Sequence, residues 1–157
     1  MADQVFNIAK GKVNEYVERV NANDPTNSVL IIHAWVAGDT DDAIEAVDTV
    51  AAIESLGSTA EATNSGYSPI VLDNTDSLTV TVDDTNDRNE ADMPDQTFSA
   101  IVAGDNWTDL SISYDSDSTA GTDANIIPCT WHDFAVTPDG SDITMQVNAA
   151  GFFRAAA

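Results

Sequence analysis

The amino-acid sequence predicts an α+β protein, with two helices in the N-terminal third packed on a mostly antiparallel β-sheet or sandwich. Three observations carry this. Apolar residues recur at helical spacing near the start of the chain and again after residue 40. A near-continuous apolar run lies between these two segments, at 29–36. Beyond residue 69 the apolar period changes to two, the period of strands with one face in a core.

Residues 4–9 read equally as a short strand or a leading arm. Val13, Tyr16, Val17 and Val20 then stand at offsets 0, 3, 4 and 7, one face of a helix. It should stop within Asn21–Asp24, ahead of Pro25. Val29-Leu30-Ile31-Ile32-His33-Ala34-Trp35-Val36 predicts a central strand covered on both faces. Thr40 is the expected N-cap of a second helix, with Asp41 and Asp42 favourably set against its dipole. Ile44, Val47 and Ala51 give that helix its stripe, with Val50 and Ile53 beside it, and Gly57 is expected at C′.

Residues 58–68 are small and polar and predict a surface loop. Four alternating segments follow: Leu78/Val80/Val82, Phe98/Ala100/Val102, Leu110/Ile112/Tyr114 and Ile143/Met145/Val147. Thr137-Pro138-Asp139-Gly140 predicts a turn in which Gly140 takes a positive φ before the last of these strands. One domain over 1–157 is expected. It comprises an arm and helix at 1–24, a strand plus helix at 28–57, and mainly antiparallel β-structure at 69–157.

Composition bounds the function. With 157 residues and a 43% apolar fraction, the chain can build a core. Its 27 acidic and 5 basic residues give a formal net charge of -22. Phosphate binding needs clustered Lys and Arg, so nucleic acid is excluded as a partner, and an anionic membrane surface is excluded by the same repulsion. Residues 1–20 are neutral, because Lys10, Lys12 and Arg19 balance Asp3, Glu15 and Glu18. That segment reads either as a surface able to touch another protein or as an ordinary salt-bridged helix. Asp-rich, Lys-poor chains also suit salty water, where screening weakens self-repulsion. Cys129 is the single cysteine and reads as a small core residue. No signal-peptide pattern or membrane-length apolar run is present, so the protein is expected to be made and kept in a cytoplasm, or assembled there into something larger.

The C-terminal half carries a resemblance. Tyr114-Asp115-Ser116-Asp117-Ser118-Thr119-Ala120-Gly121-Thr122-Asp123 is followed by Ile126-Ile127-Pro128, His132-Asp133-Phe134, Thr137 to Asp142, and Ala150-Gly151-Phe152-Phe153-Arg154. With the opening Val5 to Lys12 and the central Asp83 to Arg88, these segments resemble small virion structural proteins of tailed double-stranded DNA phages. Residues 38–72 match less clearly. The resemblance implies a non-enzymatic component of the virion, first of all a capsid decoration protein on the outer capsid surface. The major capsid protein and copies of the same chain are the implied partners, with a trimer favoured. A tail or head–tail connector component is the structural alternative. Trp35, Trp107 and Trp131 read first as core or subunit-interface anchors, and a displayed glycan-binding module using them is the alternative of another class.

Candidate chemistry is thin. Asp115-Ser116-Asp117-Ser118-Thr119 starts like a calcium loop, but position six is Ala120 and position twelve is Ile126. Adventitious calcium or magnesium in such Asp-rich loops is the most that follows, and no cofactor is expected. Cys129 and His132 lack the further ligands a zinc site needs. His132 and Asp133 are adjacent on a strand and face opposite sides, so they form no triad. No catalytic residues are assigned. The residues expected to meet a partner are Val5, Phe6, Ile8, Lys10, Lys12, Phe152 and Phe153. Deleting residues 1–12 is expected to leave a folded β domain that no longer attaches to shells.

Overall fold

A computed structural model describes residues 3–156. The described residues form eleven strands, three α-helices and one 3-10 turn. The main sheet is antiparallel throughout. β1 (Gln4–Val5) pairs with β9 (Ile127–Val136), β9 with β8 (Trp107–Asp115), and β8 with β2 (Val29–Val36). The far edge of β2 is shared by β3 (Ala60–Glu61) and β4 (Ile70–Leu72). A second sheet runs β5 (Thr79–Asp83), β6 (Arg88–Asp92), β11 (Phe153–Ala156), and β7 (Gln96–Phe98) pairs with β10 (Ile143–Met145). Mostly antiparallel β-structure with few helices is therefore the architecture.

The predicted first helix is α1 (Val13–Ala22). It buries Val13, Tyr16, Val17 and Val20 and ends at Asn23 in the left-handed region. Tyr16 stacks on Tyr114 with centroids 4.5 Å apart, which seats α1 on the main sheet. β2 is buried along nearly its whole length and has partners on both sides, as its apolar run predicts.

Four expectations need correction. The second helix is two short ones, α2 (Asp41–Glu45) and α3 (Val50–Glu54). Thr40 caps the first by accepting the Ala43 N–H, and Thr49 caps the second by accepting the Ala52 N–H. A second N-cap threonine restarts the helix at 49, where apolar spacing alone reads straight through. The second cap also moves the end: Ser55, in right-handed conformation, is the C-cap, and Gly57 takes no left-handed role.

Residues 58–68 are a surface loop only in part, since the segment contains β3 and turns three residues inward. Thr59, Ala62 and Asn64 are buried, and the segment completes the edge of β2. Its polar side chains are there as bonding partners, a role that composition does not display.

Ser111 and Ser113 are fully buried, so β8 has no solvent face. The strand is central, with β2 and β9 on either side, and both its faces are covered.

The alternation Phe98/Ala100/Val102 breaks at Ala100, whose φ is 53°. The strand ends at Phe98, Ile101 turns inward, and Val102 is exposed. The neighbouring turn forms as predicted, with Gly140 at φ 100°.

Candidate functional site

The register of the main sheet sorts its polar residues. On one face His33 lies opposite Ser111, Trp35 opposite Asp109, and Ser111 opposite Trp131. The other face carries Ala34, Leu110 and His132 in one row, and Ile32, Ile112 and Thr130 in the next.

The three tryptophans are core residues, at most 1% exposed. Each indole N–H has a buried acceptor. Trp35 donates to Ser111 Oγ at 2.8 Å, Trp107 to Asn64 Oδ1 at 2.8 Å, and Trp131 to Asp109 Oδ1 at 2.9 Å. A buried indole needs such a partner, which explains the polar residues on otherwise apolar faces. The core reading of these tryptophans holds, and the rings present no stacking face to a sugar, which removes the glycan platform built on them.

The abundant carboxylates serve the turns. Asp73, Asp117 and Asp139 each accept both the N–H and the hydroxyl of the Thr or Ser two residues on. Asp83 accepts the Thr85 N–H and the Asn86 side-chain amide. Hydrogen bonds to the charged form hold all four carboxyls below their ordinary range. In the stretch that begins like a calcium loop, Asp115 accepts from the Asp117 N–H and Asp117 from Thr119, an Asx-turn ladder. Among the described residues no group of three or more His, Cys, Asp or Glu side chains is placed to hold a metal.

The residues expected to meet a partner fall into three groups. Phe6 is fully buried, edge-on to Trp131 at 6.1 Å, and its N–H donates to Cys129. It anchors the chain's own core and is corrected from a contact residue. Removing residues 1–12 would strip Phe6 and Ala9 from that core, so the deletion tests folding before it tests attachment. Val5 and Ile8 are half-buried beside Phe6, and Lys10 is spent on an ion pair with Glu45 and a bond to Asn7. Lys12 is exposed and has no ion pair among the described residues.

Phe152 and Phe153 are half-buried at the other end of the chain. The Phe152 N–H donates to Ala91, and β11 pairs with β6. An ion-pair row holds this strand: Glu90 lies 2.8 Å from Arg88 Nε and 3.2 Å from Arg154 Nε.

The two chain ends converge on one cleft of about 220 Å³. Buried Leu110, Ile112 and Met145 floor it, and half-buried Phe134 and Phe152 wall it. Asp3 and His132 stand at its rim, with His132 Nδ1 3.8 Å from Asp3 Oδ2. Burial lowers the His132 pKa, and the Asp3 carboxylate opposes that shift. Asp3 Oδ1 also accepts the Asp133 N–H at 2.9 Å, which fixes the carboxylate at the rim.

Of the residues expected to meet a partner, only Phe152 lines this cleft. Asp3, Leu110, His132 and Met145 come from four distant segments, and only the β8–β9 register and the return of the C-terminal segment bring them together. Cys129 is buried and separate, its thiol pushed up to about 12 by desolvation.

Comparison of the chain with family models, curated proteins and solved structures finds no match.

Proposed function

We propose that the chain is a non-enzymatic structural component of a tailed-phage virion, a decoration protein bound to the outside of the capsid. The observation that carries this reading is the disposition of charge. Four of the five cations, Lys10, Arg19, Arg88 and Arg154, are engaged in intrachain ion pairs. The body keeps a net charge of -22 and turns carboxylates outward in its loops. Such a surface suits the outside of a shell, where it repels its like and stays clear of packaged DNA.

Binding of many copies to a symmetric lattice lets individually weak contacts hold, and each bound copy favours the assembled state. Clustering as a homo-oligomer, a trimer first, belongs to the same reading. So does a sandwich-like scaffold in which the smaller sheets form a second layer. Phe98 of β7 meets Trp107 of β8 edge-on at 5.0 Å, which supports that layering.

The test is attachment. Intact protein is mixed with shells of the phage's own major capsid protein, followed by co-sedimentation and cryo-EM. Density on the outer surface is expected. Absence of the chain from purified virions by mass spectrometry would overturn the reading, and density in the tail or at the connector would replace it with the structural alternative.

A further inference from the structure

The cleft between β9 and the C-terminal segment combines apolar and acidic lining. Its floor is apolar and its rim carries a carboxylate. Leu110 and Ile112 are at most 1% exposed, and both line the floor of a void of about 220 Å³. An apolar void of about 150 Å³ takes a benzene-sized group, so this one has room for a single large side chain. Asp3 is mostly exposed, with 69% of its side chain accessible. Its carboxylate is fixed by the Asp133 N–H and keeps lone pairs for another donor.

We propose that this cleft is a docking site for a basic segment of a partner protein: one large aliphatic or aromatic side chain enters it, and a neighbouring Lys or Arg meets Asp3. The inference deepens the decoration reading, on which it rests, by naming the chemistry of the partner. Charge complementarity selects the occupant. A body of net charge -22 attracts basic segments and repels acidic ones.

A second copy of the chain does not supply such a segment from its described residues. Its one cation outside an ion pair, Lys12, lies between Gly11, which has no side chain, and Val13, which is 1% exposed. It therefore offers no apolar anchor beside its charge. The hydrophobic anchor gives affinity because its surroundings are already desolvated, and the ion pair at the rim chiefly gives orientation and specificity.

The test uses the intact chain and three blocked peptides, with backbone NMR shifts as readout at physiological salt. The probes are Ac-Gly-Arg-Leu-Arg-Gly-NH2, the same peptide with Glu for Arg, and the same peptide with Gly for Leu. The first is expected to give saturable shifts confined to residues 110–112, 132–134 and 145–152. The Glu peptide should bind about tenfold more weakly or worse, and the Gly peptide should give no saturation. Val147→Trp, which fills the cleft, should abolish the shifts. Asp3→Lys should weaken the Arg peptide and spare the Glu peptide.

Equal response to the Gly peptide means non-specific attraction and overturns the proposal. So does an unchanged response in a folded V147W. Self-association abolished by V147W would make the occupant a second copy and overturn it as well. The two readings fail separately. Shell attachment that V147W leaves intact sinks the cleft and spares decoration. Peptide binding by a chain absent from virions sinks decoration and spares the cleft.

Discussion

The Tyr67 hydroxyl donates to Glu61 Oε1 at 2.7 Å while accepting the Ala34 N–H at 2.8 Å. Between β3 and β4 the edge of β2 has no strand beside it, and this side chain closes the gap. Tyr67→Phe leaves the Ala34 N–H and the half-buried Glu61 without a partner. An unpaired buried group costs about 1–3 kcal/mol, so the variant should lose that much stability in urea unfolding. Fast amide exchange should appear at Ala34, and unchanged exchange there would show that another group bonds it.

His33 sits at 3% exposure in the middle of β2, and desolvation takes its pKa from 6.5 down to about 4. The unfolded chain therefore binds a proton between these values that the folded chain refuses. Stability from this group is fully present above pH 6.5 and is lost as pH falls through about 4. The shift corresponds to about 3 kcal/mol. His33→Gln removes the titration, so its unfolding free energy should fall less between pH 7 and pH 4.5 than that of the natural chain. Parallel pH profiles would refute the assignment.

Asp109 is buried beside Trp131. Burial raises its pKa, against the hydrogen bonds from Thr108 and Trp131 that lower it. Among the described residues its second oxygen has no hydrogen-bond partner. Trp131→Phe removes the one indole donor and should cost more than the lost packing alone. Asp109→Asn in that background should recover part of the loss, because an amide is cheaper to bury than a charge. A double-mutant cycle by thermal unfolding measures the coupling, and additivity within about 0.5 kcal/mol would mean the pair is not coupled.

Gly151 turns the chain into β11 at φ +84°, and a Cβ there would collide with the Ala91 carbonyl oxygen. Gly151→Ala should therefore detach the C-terminal strand, at a cost of about 1–3 kcal/mol. Exchange protection of the Phe152 N–H, bonded to Ala91, is the local readout. Retained protection with unchanged stability would place the strain elsewhere.

Asp73 and Asp117 take their low pKa values from Thr75 and Thr119. Thr75→Val and Thr119→Val should move each carboxyl back up toward its ordinary value, read by side-chain carboxyl NMR titration. A carboxyl that does not move would show that the backbone N–H alone sets the shift.

The sequence by itself determined what local physics fixes. The four apolar residues of α1, the run that became β2, the Thr40 cap and the Pro138–Gly140 turn were all legible, because each depends on spacing or on one residue's conformational preference. Tertiary structure decided what depends on register and return paths. Ser111 and Ser113 look like solvent-face residues and are buried, because β8 is covered on both faces. Phe6 looks like an arm residue and is core, because β1 closes on β9 beside Trp131. The cleft is hidden for the same reason: Asp3, Leu110 and Met145 are far apart in the chain, and non-local pairing carries no periodic signal that a single sequence can display.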